Sequence, residues 1–257
     1  MKAGKVSPFD VPSVRQFNNV REAFLKEFLE DVQRRVELHR AVDVGSGVGY
    51  LSKFLSELGF SVLALEGREE NAAEARRRYP DVKFLTADAE NLPLNELGIF
   101  DLVLCAGLLY HLENPFKVIR NLCTLTGKVL VVEGMCSPSS HSAMELLDEG
   151  VSENQGLSYV AFYPSESCLV KMLYRSGFPF VYRFKNLPAH ELYTSTIWRK
   201  RERTILAASK LALPSPNLVL AKETIRPVPG ITDPWTTGLR KARAYMGRLT
   251  NPLRGRL

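Results

Sequence analysis

No apolar run in the sequence approaches the roughly 20 residues that a membrane span requires, which excludes a helical integral membrane protein as the expected class. The first residues, Met1 to Val14, carry no apolar core of the kind a secretory leader needs, so a cytoplasmic protein is expected. Cysteine is scarce: Cys105, Cys123, Cys136 and Cys168 are scattered through 257 residues, with no C-x-x-C pair among them. That argues against a structural zinc site and a disulfide framework and favours a reducing compartment; no metal site is expected. The sequence has no internal repeat, and its last 22 residues contain no Asp or Glu.

What is present is ordinary for a globular chain. With 45% hydrophobic and 24% charged residues, 257 residues suffice for one full α/β core. The net charge of +6 belongs to the C-terminal segment, where Arg240, Lys241, Arg243, Arg248, Arg254 and Arg256 stand together. The remainder of the chain sums to about zero. Such a tail offers electrostatic purchase on nucleic acid or an anionic membrane surface, but Tyr245 is its one aromatic and no stacking series accompanies it.

Periodicity then gives the architecture. Val14, Phe17, Val20, Phe24, Phe28, Val32 and Val36 recur at helical spacing and predict an N-terminal helix from Ser13, preceded by a proline-broken arm. Strands are expected over 40–44, 61–65, 82–86, 100–105 and 128–133, alternating with helices over 50–58, 69–79 and 115–123. That rhythm predicts a doubly wound, mostly parallel α/β sheet. Residues 134–162 break it, with a short helical piece expected around 143–147. A helix from Pro164 to Ser176 and two further strands, 178–184 and 204–209, bring the expected strands to seven. The domain reading is an arm and helix over 1–37, a core domain over 38–211 with an insertion at 134–163, and a Pro-rich strap with the basic tail over 212–257.

The chain is organised around Val42-Asp43-Val44-Gly45-Ser46-Gly47-Val48-Gly49-Tyr50, an apolar run that breaks into alternating glycines and enters a helix. Such a turn lets a ligand approach bare main chain beside the unpaired N–H groups of a helix start. A nicotinamide fingerprint needs glycine at the sixth position, where Tyr50 stands, and gains nothing from an acid at Asp43; a dehydrogenase is therefore disfavoured. Glu66 ends the second strand 21 residues after Gly45, where a carboxylate accepts from ribose hydroxyls.

The pattern Asp-x-Gly-x-Gly-x-Gly resembles motif I of the Rossmann-like, class I methyltransferases that use S-adenosylmethionine (SAM). The resemblance covers roughly residues 38–210 and includes Glu66-Gly67, Asp88-Ala89 with the run to Pro93, and the stretch from Phe100 to Pro115. It implies SAM as cofactor, held by Asp43, Gly45, Ser46, Gly47, Gly49, Glu66, Gly67, Asp88, Ala89 and Ala106. In that arrangement Asp43 meets the methionine amino end, Asp88 and Ala89 meet adenine, and the loop after Ala106 borders the transferred methyl. It also implies an antiparallel last strand inserted beside the sixth. The Tyr110-His111 loop supplies the catalytic candidates: His111 as a general base, Tyr110 as a wall of the methyl channel, with His141 and Glu133 as lesser ones.

The expected activity is methyl transfer to an oxygen of a small molecule such as a sugar or natural product. Leu-Tyr-His-Leu-x-x-Pro with Tyr163-Pro164-Ser165 is also similar to the transferases that modify the tRNA wobble uridine, which keeps an RNA acceptor as the first rival. A SAM-binding partner subunit without catalysis is the second. The N-terminal helix and residues 134–162 are expected to border the acceptor.

Overall fold

The computed structural model describes residues 7–198 and 200–224. The basic tail and the end of the strap lie outside them. Helix α1 (Pro12–Gln33) opens the described chain with Pro12 at its first turn, where a missing N–H costs nothing. It buries Leu25, Phe28, Leu29 and Val32 and stops three residues before the expected Val36.

Five parallel strands follow, β1 (Arg40–Val44), β2 (Ser61–Glu66), β3 (Lys83–Thr86), β4 (Phe100–Ala106) and β5 (Thr126–Met135). They alternate with α2 (Tyr50–Glu57), α3 (Glu69–Arg78), the single turn α4 (Leu94–Leu97) and α5 (Pro115–Leu125). A two-stranded ribbon, β6 (Met144–Asp148) with β7 (Val160–Pro164), stands apart from this sheet. Then come α6 (Glu166–Arg175), β8 (Phe180–Phe184), β9 (Arg203–Ser209) and β10 (Leu218–Leu220). The sheet order is β10-β8-β9-β5-β4-β1-β2-β3. Strand β9 runs antiparallel between β5 and β8, the place expected for the last of seven strands. An eighth, β10, comes from the strap and pairs antiparallel with β8.

Alternation along the strands divides the core. In β4, Leu102 and Leu104 pack with α1 and α2 on one face. Val103 and Cys105 point to the other, against Ile119 and Leu122 of α5 and Leu169 and Leu173 of α6. All four cysteines are free thiols, Cys168 half-buried and the others buried.

Two local expectations are corrected. Residues 143–147 are not helical: Met144–Asp148 is strand β6, in register with Val160–Pro164. Met-Glu-Leu-Leu has good helix formers, but its aromatic and β-branched partner Val-Ala-Phe-Tyr supplies cross-strand contacts that override propensity. Pro164 does not start a helix either; it ends β7, and α6 begins at Glu166. Ser165 caps it by accepting from the Cys168 N–H at 3.2 Å.

Candidate active site

The carboxyl ends of the parallel strands deliver the site, as open α/β sheets do. After β1 the chain turns through Gly45 (φ +80°), Gly47 (+55°) and Gly49 (+85°), a left-handed region that only glycine enters freely. The N–H groups of Gly45 and Ser46 are tied to the Leu65 carbonyl at 2.8 and 3.0 Å, which fixes the turn against β2. Two cavities open around it. One, of about 300 Å³, is bounded by Glu66, Gly67, Asp88, Ala89, Leu108 and Leu157. The second, of about 640 Å³, is bounded by Asp43, Ser46, Ala106, Tyr110, Arg21 and Arg203. Gly45, Gly47, Gly107 and His111 are walls of both.

Glu66 is 8% exposed and accepts from the Gly47 N–H (2.8 Å), the Arg68 N–H (3.0 Å) and Asn71 Nδ2 (3.3 Å). It is thus both a carboxylate at a cavity wall and the tie between the glycine turn and the start of α3. Asp43 is buried and receives the Ser52 hydroxyl at 2.6 Å. Burial pushes its carboxyl up to about 6, with Ser52 and the Arg21 charge opposing and the Glu66 charge adding. A buried acid with one hydroxyl partner beside an open cavity is a ready place for a cationic group. Nearby, the Ser46 hydroxyl is buried and has no hydrogen-bond partner. Asp88 caps the following 3₁₀ turn through the Glu90 N–H at 2.9 Å and holds Asn91 Nδ2 at 2.6 Å.

Gly49 lies outside both cavities: a Cβ there would stand 2.6 Å from Phe84 Cζ, so its bareness serves packing between turn and sheet. Gly67 borders the smaller cavity beneath Leu157. His141 is outside both cavities, and its carbonyl accepts from the Ser165 hydroxyl at 2.5 Å. Ala106 and Tyr110 border the larger cavity.

The segment between β6 and β7 carries groups that sequence reading did not single out. Glu149 bonds His111 Nδ1 through one oxygen and the Gly156 N–H through the other at 2.8 Å. Burial lowers the imidazole's pKa below its usual 6.5; Glu149 pulls upward and the Arg203 charge downward. Arg68 Nη2 donates to the Gly156 carbonyl at 2.8 Å and Asn71 Nδ2 to the Glu153 carbonyl at 3.1 Å, drawing residues 153–158 over the smaller cavity. The insertion therefore covers the Glu66 side. Residues Phe17, Asn18 and Arg21 of α1 border the larger cavity.

Its floor is an ion cluster. Glu133, 1% exposed at the end of β5, accepts from Arg203 Nε (2.6 Å) and Nη2 (3.1 Å), Arg21 Nη1 (2.8 Å) and the Tyr193 hydroxyl (2.7 Å). Against its burial, the two guanidiniums and the hydroxyl hold its carboxyl down at about 2. Arg203 reads in sequence as one charge of a basic run; only the pairing of β9 with β5 carries it to Glu133.

The chain has counterparts among known proteins. The methyltransferase domain family matches residues 42–128. A ubiquinone biosynthesis O-methyltransferase of Caulobacter sp. (strain K31) is 30% identical over 128 residues, 48% of this chain and 51% of that protein. One from Xanthomonas euvesicatoria pv. vesicatoria (strain 85-10) is 34% identical over 103 residues, 38% of this chain and 43% of that protein. The chain thus spans about half the length of the curated relatives it matches. Among solved structures, the N-terminal domain of EvdMO1 with SAH bound has a TM-score of 0.59 at 24% identity, covering 73% of this chain and 80% of that one. Magnesium protoporphyrin IX methyltransferase (ChlM) from Synechocystis PCC 6803, with bound SAM, has a TM-score of 0.53 at 19% identity over 81% and 86% of the two chains. Residues 42–128 match the methyltransferase domain family, and the chain shares its fold with these solved methyltransferase structures. Among the described residues no helix is long and apolar enough to cross a membrane.

Proposed function

We propose that the chain is a SAM-dependent methyltransferase acting on an oxygen of a small hydroxylated molecule. The residues fit the cofactor: an orphaned Ser46 hydroxyl, a raised Asp43 carboxyl and bare glycines line one continuous wall. Glu66 and Gly67 would hold the ribose, Asp88 and Ala89 the adenine, Asp43 and Ser46 the methionine end, with Gly45 and Gly47 beneath and Ala106 beside the methyl. When bound, SAM supplies a sulfonium methyl whose C–S bond breaks as the acceptor oxygen forms the new C–O bond, leaving neutral S-adenosylhomocysteine (SAH).

The observation that carries the oxygen reading is the His111–Glu149 pair. A carboxylate on Nδ1 requires a proton there, so Nε2 carries the lone pair. The lowered imidazole pKa keeps that form at neutral pH. A hydroxyl nucleophile must lose a proton, and Nε2 of His111 takes it; Glu149 steadies the imidazolium that results. Tyr110, stacked obliquely on His111 with ring centroids 4.1 Å apart, walls the acceptor side. Two of the relatives above are named as O-methyltransferases, which supports the same reading.

The test is transfer from labelled SAM to a panel of hydroxylated acceptors. His111→Ala is expected to lower the rate about a hundred- to ten-thousand-fold while SAH affinity changes less than about threefold. Transfer by His111→Ala at the wild-type rate would show that alignment alone suffices and that oxygen chemistry does not pass through this base.

A further inference from the structure

The floor of the larger cavity holds two guanidiniums, Arg21 between Glu133 and Asp43 and Arg203 on Glu133 alone. Glu133 already accepts four hydrogen bonds, from Arg203 Nε and Nη2, Arg21 Nη1 and Tyr193, which fills the lone pairs of a carboxylate. Two guanidiniums therefore face one saturated acid. Among the described residues, neither arginine has another acid within ion-pair distance. The Arg203 side chain is only 7% exposed, and a guanidinium edge left unpaired that deep is costly unless a ligand completes it.

The geometry shows where that ligand would lie. Gly107 borders both cavities, and a Cβ built on it would stand 3.5 Å from Arg21 Nη1, 3.9 Å from Arg203 Nη2 and 3.9 Å from the Tyr110 hydroxyl. Three donors thus converge on a spot kept bare by a glycine. Arg203 is held rigid there, its Cζ lying 5.0 Å from the Phe17 ring centroid and 5.4 Å from that of Tyr110. Its Nη1 has only a long 3.4 Å contact with the Tyr110 hydroxyl, so part of the fork remains open. The two arginines are not equivalent. Arg21 faces the buried Asp43 on the cofactor side, and its charge lowers that acid's pKa; Arg203 lies with Tyr110 and His111.

We infer that the acceptor is a hydroxy acid whose carboxylate docks on the open edge of Arg203 beside Tyr110 and Gly107, with its hydroxyl carried to His111. The inference rests on the Tyr110–His111 side of the larger cavity receiving the acceptor of a methyltransferase, with the Asp43–Ser46 side left to the cofactor. A planar fork meeting a planar carboxylate supplies orientation as well as charge, which a single-point cation would not. Arg203 then selects among acceptors, and His111 acts on the one selected.

The experiment starts with SAH titrated into the full chain by calorimetry, followed by a panel of aromatic and aliphatic hydroxy acids, each paired with its methyl ester. At least one acid should bind about tenfold or more tighter than its ester, the difference a charge-assisted fork makes. Arg203→Met should reduce that preference to less than about threefold with SAH affinity kept. Because removing Arg203 leaves Glu133 with fewer partners, Arg203→Lys and Tyr110→Phe are run beside it. The lysine keeps the charge and loses the fork, and the phenylalanine loses one donor, so each should retain part of the preference. Acids binding no tighter than their esters overturn the inference, as does a preference that survives Arg203→Met. Loss of SAH affinity in Arg203→Met with 5′-methylthioadenosine binding unchanged overturns it too, by assigning the arginine to the cofactor's own carboxylate. Absence of SAH binding by the wild type is a different failure: it removes the methyltransferase reading, while the acid–ester comparison still reports on Arg203.

Discussion

On the proposed cofactor role, Asp43 ties binding to pH. Its carboxyl sits near 6 in the folded protein against an ordinary 3.8, so the group takes up a proton as pH falls through 6. For a raised acid the sign is opposite to the usual carboxylate: the folded state gains from this group below its ordinary pKa, and that gain is lost as pH rises through 6. Binding runs the other way, because the ionised form is the one that meets a cationic amino end. Calorimetry from pH 8 to 5 should show SAH affinity constant above about 7 and falling up to about tenfold per unit below 6. In Asp43→Asn affinity should be about 10- to 150-fold weaker at pH 7.5 and the dependence flat. An unchanged pH profile in that variant would place the titrating group elsewhere. Glu66 ties the glycine turn to α3, and its proposed second job is to hold the ribose. Glu66→Ala should weaken SAM about 30- to 150-fold, through loss of charge-assisted bonds to the ribose. Because the Gly47 and Arg68 N–H groups lose their acceptor, it should also cost about 1–3 kcal/mol of stability, readable by urea unfolding. A cost in stability with no change in the affinity of the folded fraction would leave Glu66 as a structural cap alone.

At the scale of elements, the glycine turn and the segment between β6 and β7 make separable predictions. Gly49 and Gly59 both have left-handed φ, +85° and +90°. A Cβ at Gly59 meets nothing, whereas at Gly49 it strikes the Phe84 ring. Gly59→Ala should therefore cost only the backbone term of about 1–2 kcal/mol. Gly49→Ala should cost a further 1–3 kcal/mol or so from overpacking. Equal midpoints in chemical unfolding would show that the close approach does not matter. The segment 153–158, pinned by Arg68 and Asn71, should gain amide protection when SAH binds, and Arg68→Ala should reduce that gain. Protection indifferent to SAH would mean the segment does not cover the cofactor. These elements also show what a sequence discloses. The strands of the parallel half announce themselves because each is a short apolar run closed by a turn and followed by a helical period, and the site acids sit at their ends for the same reason. The ribbon β6–β7 does not, because its pairing is non-local and its first strand is written in helix-forming residues. Glu149 and Arg203 stayed hidden alike: one sits in a Ser- and Gly-rich stretch, the other in a charged run, and only strand pairing brings either to the site.

For the molecule as a whole, the edge formed by the carboxyl ends of the parallel strands gathers a cavity bounded by Glu66 and Asp88 under a pinned segment and a larger one floored by arginines. The claim on which the rest depends is that this edge binds SAM and not a dinucleotide. Isothermal calorimetry of the full chain with SAM, SAH and NAD(H) tests it most directly. The account predicts micromolar or tighter binding of SAM and SAH, with Asp43→Asn and Glu66→Ala each weakening it, and no heat from NAD(H). Binding of NAD(H) with none of SAM would contradict it.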